Sequence, residues 1–305
     1  MPETFLTSTM AIWVSLVVLA QAINAATVVI DKYVLARSGG IGKPVVYAFY
    51  VSLLSGFVLV LVPFGYISIP SYVVLGLSLL TAASYIASIV LLYTALKLTN
   101  PSDVIPVVGG TSALMAFILE HTWLDTPLPA SFVLAFIFLV VGTLFISHFR
   151  FTTPSFLYAL LGGALFGLSA FLIKLIFAET SFIDGFFWTR MANVVGALLL
   201  LALPGTWAAI HRGYHSSSKG LRSVVVFNKV LAGVAFALVL FAIQLGSVSI
   251  VNALSGLQFV FLLAFAYVFG NVFPDIFHGE IHPHKFPHKL VGVICIVIGV
   301  AFLFV

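Results

Sequence analysis

The chain has 305 residues, of which 62% are hydrophobic and 7% charged, with a mean hydropathy of +1.23 and a formal net charge of +4. A soluble domain carries about 25% charged residues, so this few cannot cover a water-facing surface and lipid must be the main solvent. The basic residues are scattered over loops and helix ends, which excludes a nucleic-acid-binding surface.

A membrane helix needs roughly 20 apolar residues. Ten such runs are read, near 10–30, 45–63, 72–96, 103–120, 129–148, 155–177, 186–204, 226–246, 249–270 and 288–305. They are too long for barrel strands, and lipid leaves an open backbone without partners. The expected fold class is therefore an all-α membrane protein with ten transmembrane helices. The N-terminus lacks the basic residues of a secretory signal, so the first run is expected to stay as a helix. Most Lys and Arg fall on loops of one side. The positive-inside rule then predicts those loops in the cytoplasm and both termini outside.

The first run carries Gln21, Asn24, Thr27 and Asp31 at steps of three and four, hence on one face. A polar stripe on a membrane helix points at the protein interior or a cavity, not at lipid. Gln21 and Asn24 are candidate cavity residues; helix–helix hydrogen bonding is the plain alternative. The Gly-rich loop at 36–44 lacks phosphate-loop spacing and reads as a turn. The second run has Tyr47 and Tyr50 near its start, where interfacial aromatics belong, and Tyr50 is a further candidate. Ser55-Gly56 has no glycine two residues earlier and is no serine-hydrolase signature.

Thr81, Ser84, Tyr85 and Ser88 share a face of the third run. Tyr85 could stack on a ligand, or the face could simply pack closely. The fourth run contains Pro106 and Gly109-Gly110 and ends at Glu120. Proline frees a backbone carbonyl and kinks a helix, and broken membrane helices are where transporters build sites. The sixth run has Gly163-x-x-x-Gly167, a spacing that lets two membrane helices approach closely. Lys174 lies about one turn from that run's end. Arg190 lies about one turn inside the seventh, with Asn193 on its face, and Glu179 and Asp184 are near enough in sequence to pair with either cation. Lys174 and Arg190 suit a carboxylate or phosphate, or they could snorkel.

Residues 205–222 read as a solvated connector. In the ninth run Asn252 and Ser255 share a face. The last loop gathers His278, His282, His284 and His288. Histidine tracts can hold transition metals, but the spacing matches no metal signature and Lys285 and Lys289 would repel a cation; a polar, pH-sensitive loop is the plainer reading. The single Cys295 lies inside the last run, where it reads as packing. No H-E-x-x-H and no G-x-S-x-G occurs, so no enzyme is expected, and no cofactor.

The halves echo each other. Phe241-Ala242-Ile243-Gln244-Leu245 follows the pattern of Tyr93-Thr94-Ala95-Leu96-Lys97-Leu98. Ser255-Gly256 falls where Gly109-Gly110 does, and Gly299 where Gly142 does. Two five-helix halves, Pro106 and terminal Glu120 in the fourth helix and a late glycine in the fifth resemble the drug/metabolite transporter superfamily, nearest its EamA-like ten-helix members. Lys32 and Lys174 match the lysine common after the first helix of a repeat. The second half departs: Ala253 or a neighbour stands for the proline, and Val268-Phe269-Gly270-Asn271 for the glutamate.

The resemblance implies repeats at 1–150 and 151–305. Five crossings is an odd number, so the second copy runs inverted, an arrangement that permits alternating access. It also implies both termini in the cytoplasm, against the charge count. The expected function is secondary transport of a small polar metabolite, neutral, zwitterionic or anionic, across a cell membrane. The alternatives are a translocator of a lipid-linked sugar or polyprenyl carrier and a non-transporting scaffold. The expected partners are that metabolite and the bilayer.

Overall fold

The computed structural model describes residues 2–37, 43–98, 101–124, 131–146, 153–216, 218–269 and, further on, 291, 292, 294–296, 298, 299 and 302. Residues 38–42 of the Gly-rich loop, residues 147–152 and the histidine loop with His278, His282, His284 and His288 lie outside the described residues.

Among the described residues the secondary structure is all-helical. The elements are α1 (Pro2–Arg37), α2 (Pro44–Leu54), α3 (Tyr72–Leu98), α4 (Pro101–Trp123), α5 (Phe132–Ile146), α6 (Thr153–Glu179), α7 (Phe182–Leu200), α8 (Thr206–Ser216), α9 (Lys219–Leu245), α10 (Val248–Ala253) and α11 (Leu257–Phe269). Five segments are long and apolar enough to cross a membrane: Ile12–Asp31, Pro44–Phe64, Tyr72–Leu98, Thr153–Glu179 and Lys219–Leu245. Large apolar side chains stand bare on the outside, Leu199, Phe227 and Val60 among them. An apolar surface of this extent fits lipid rather than water.

Local chemistry fixes the ends. Pro44 opens α2 at a position where its missing N–H is no loss. Ser181, Ser218 and Ser247 cap α7, α9 and α10, each accepting from a backbone N–H three residues on. Two helices tighten part-way: α2 continues as a 3-10 helix over Ser55–Phe64, and a 3-10 turn at Leu254–Gly256 separates α10 from α11. Each 3-10 stretch contains a Ser-Gly pair, Ser55-Gly56 at the start of the first and Ser255-Gly256 at the end of the second. Such pairs loosen a helix, because serine competes for backbone bonds and glycine has no side chain to resist bending. The sequence expectation had put the irregular helix at Pro106. Instead α4 runs unbroken from Pro101 to Trp123.

The connector expected at 205–222 contains α8. That helix is amphipathic: Ile210 is buried against Val46, Phe49 and Ala197, while Trp207 and Tyr214 are exposed. This is the pattern of a helix lying along a membrane surface.

The helices interleave. α6 packs on α3 and α4, α1 on α9 and α11, α7 on α2 and α3, and α10 on α4. Small residues make the close crossings. A Cβ added to Gly163 would stand 2.6 Å from the Val108 carbonyl oxygen, and one on Gly167 2.5 Å from that of Ser112. The spacing read in the sequence therefore lies against α4. Ser88 adds a bond across α3 and α6, donating to the Gly162 carbonyl at 2.8 Å. Gly142 of α5 is seated against Gly292 and Ile296, and Gly299 against Ala135 and Leu139.

Candidate functional site

The packing leaves a cavity of about 690 Å³, within the size range of small-molecule sites. Helices α1, α2, α3, α6, α7, α9, α10 and α11, with both 3-10 segments, form its wall. The wall is largely apolar. Its polar groups converge from several elements: Gln21 and Asn24 from α1, Tyr85 from α3, Arg190 from α7, Asn252 and Ser255 from the interrupted α10–α11 span.

Arg190 is the group that sets the chemistry. It is 9% exposed, and its guanidinium lies 3.9 Å from the Phe236 ring centroid and 5.7 Å from that of Tyr85. The two rings meet edge to face at 6.1 Å. An arginine against aromatic faces gains about 2 kcal/mol when desolvated, against about 2.5–3.5 kcal/mol for a charge at the centre of a membrane helix. Among the described residues its Nε has no hydrogen-bond partner. Among the described residues no carboxylate pairs with it. The sequence offered Asp184 as a partner. That carboxylate is instead engaged by the Ser68 N–H at 2.7 Å, the Ser68 hydroxyl at 2.8 Å and the Ser181 hydroxyl at 2.9 Å.

Lys229 also reaches the cavity, but its charge is neutralised. Its ammonium donates to Asp31 Oδ1 and Oδ2 at 2.8 and 3.0 Å. Asn228 donates to the same carboxylate at 2.6 Å, and the Tyr47 hydroxyl hydrogen-bonds to it as well. The network ties α1, α2 and α9 together at one end of the cavity. Toward the opposite end of α9, Phe241 packs edge to face on Phe182, which also meets Phe177 and Phe186.

Six of the expected residues come together on the cavity wall: Gln21, Asn24, Tyr85, Arg190, Asn252 and Ser255. Three do not. Tyr50 turns to α8 and donates to the Ile210 carbonyl at 3.2 Å. Asn193 is buried at 1% exposure off the wall, with Oδ1 unpartnered. Lys174 turns to a helix end. Its ammonium donates to the carbonyls of Ile243 at 2.8 Å and Gly246 at 2.7 Å, with a longer contact to Gln244, so it satisfies the end of α9 rather than a ligand. A cation suits the negative end of a helix. The side chain of Pro106 is outside the described residues. The residues missed were Phe236, Lys229 and Gln258. Phe236 gives no signal among 30 phenylalanines. Lys229 is within reach of sequence reasoning, since the half-buried Asp31 on the polar stripe of α1 calls for a counter-charge.

No family model and no curated protein matches this chain. A solved structure described as "Crystal structure of protein" superposes with a TM-score of 0.66 at 15% identity, covering 97% of this chain and 96% of that one. The likeness is one of fold.

Proposed function

We propose that this chain is a membrane carrier of the EamA-like kind, moving a small anionic metabolite across a cell membrane by alternating access. The observation that carries the reading is Arg190: a buried cation with no carboxylate partner among the described residues, held by two aromatic faces on the wall of a cavity. A bound carboxylate or phosphate would supply the missing charge and accept from the guanidinium. Gln21, Asn24, Asn252 and Ser255 would hydrogen-bond the rest of the solute.

The packing supports ten spans in two inverted units. The first helix of each unit lies on the third helix of the other, α1 on α9 and α6 on α3. The same exchange pairs α1 with α11 and α6 with α4. Gly109 faces Ser255, and Gly142 and Gly299 are each seated on the segment that carries the other. In this reading the Asp31–Lys229 network and the phenylalanine cluster close the two ends in turn. Helices α1 and α9, bridged by that ion pair, part when its end opens.

The test is uptake into proteoliposomes from a panel of radiolabelled organic acids and phosphate esters, chosen by thermal shift of the purified protein. Uptake of at least one anion that disappears in R190Q is the expected result. Uptake of organic cations in place of anions, or no uptake at all, would refute the assignment.

A further inference from the structure

The cavity is not sealed on its flank. Phe57 and Val60, on the 3-10 segment Ser55–Phe64, line it while being 52% and 65% exposed. Val230 and Val234 of α9 line it too, each 49% exposed. Leu59 and Val62 on the same 3-10 segment are half-exposed without lining the cavity, so this segment is bare on its outer side as well. Its tertiary packing is against α7, whereas α9 packs mainly on α1. On α9, Gly233 lines the cavity as well, and a Cβ there meets nothing within 4 Å. The gap has an aliphatic and aromatic rim, and bilayer is the medium such a rim faces.

The inside is polarised to match. One pole is Arg190 with Tyr85 and the amides. A second set of wall residues is apolar: Val51, Leu54, Val58 and Leu61 of α2 and its 3-10 continuation, and Val230 and Val234 of α9. A compact polar anion would satisfy the first and leave the second without contacts. We infer that the site takes an amphiphilic anion from the membrane, its charged head at Arg190 and its hydrocarbon part lying between the 3-10 segment and α9 out to the lipid. This rests on the reading of Arg190 as an anion site and deepens it to a substrate class: a single-headed anionic lipid or lipid-linked anion.

The probe is hexadecyl phosphate with a diazirine at mid-chain, photolysed with the full-length protein in phosphatidylcholine nanodiscs and mapped by peptide mass spectrometry. Adducts should concentrate on Phe57, Val60, Val230 and Val234. They should fall at least tenfold in R190Q, in G233W, which fills the gap, and in wild type with excess dodecyl phosphate. The dodecyl phosphate arm needs no variant to fold. Adducts spread evenly over outer positions such as Leu199 and Phe227, or indifferent to dodecyl phosphate, would overturn the inference. Equilibrium dialysis of ethyl phosphate separates the two failures. If it binds in an Arg190-dependent way while the long probe labels at random, only the lipid inference falls. If neither binds, the anion site falls with it.

Discussion

Lys174 and Glu120 hold the two sides of a single joint. Lys174 donates to the last carbonyls of α9, while Glu120 accepts from the Val248 N–H at 3.2 Å and the Ser247 hydroxyl at 2.9 Å at the start of α10. A cation therefore sits at a helix C-terminus and an anion at the next helix N-terminus, each at its favourable pole. Both come from the ends of other helices, α6 and α4. The joint at 245–248 is thus set by its surroundings more than by its own short sequence.

Removing the cation should loosen that joint. K174M leaves carbonyls without their donor in a region 69 to 72 residues away along the chain, and bonds to charged groups are worth about 1.5–3 kcal/mol. The expected loss is about 2 kcal/mol, read as a fall of roughly 4–8 °C in Tm. Anion binding should persist, because Lys174 is off the cavity wall. A binding loss equal to that of R190Q would show that Lys174 contacts the ligand.

Arg190 should not tolerate lysine. R190K keeps the charge but not the planar face that stacks on Phe236 or the fork that grips a carboxylate. Affinity for the best anion should drop roughly tenfold, about 1.4 kcal/mol, and R190Q should abolish binding. Equal binding by R190K would mean that charge alone matters.

The Asp31–Lys229 pair should be non-additive. Taking one partner from a fully buried pair costs about 3–5 kcal/mol, because the other charge is left alone; the Lys229 and Asp31 side chains are 7% and 17% exposed, so a smaller loss is expected here. D31N and K229M are each expected to destabilise more than the double variant D31N/K229M. In D31N the freed ammonium also faces the cavity beside Arg190, so an anion should bind tighter and turn over more slowly. Additive single effects in a double-mutant cycle would contradict the pairing.

Glycines at crossings should differ from glycines facing outward. G167A puts a Cβ on the Ser112 carbonyl, and overpacking costs about 1–3 kcal/mol. In α3, Gly76 has nothing within 4 Å of its would-be Cβ. G76A should stabilise by about 0.5–1 kcal/mol, since alanine loses less backbone freedom than glycine in a helix. Melting curves of the two variants in one detergent would show the opposite signs.

Much of the fold is legible in the sequence, because lipid solvation leaves few options: apolar runs must be helical. The polar stripe of α1 is legible for the same reason, since Gln21 and Asn24 had to face inward. Lys174 and Arg190 are a different case. In the chain both are lone cations in apolar runs, about one turn from an end. What separates them is distant: the carbonyls at the end of α9 for one, Phe236 and an open cavity for the other. No local pattern carries that information. The Ser-Gly pairs are a readable signal for the two 3-10 stretches. Proline at 106 drew attention because it removes a donor, yet the helices tighten where serine offers a rival bond beside a residue without a side chain.

The interleaving of α1 with α9, and of α6 with α3 and α4, bears on how the chain is made. When Arg37 leaves the ribosome, the helix that covers α1 has yet to be translated as far as Lys219. At about 5–20 residues per second the wait is on the order of ten to forty seconds. During that time Asp31 must rest in the membrane without its ammonium partner. Until α9 is in place, that carboxylate has only what α1 and α2 offer it, the Tyr47 hydroxyl among them.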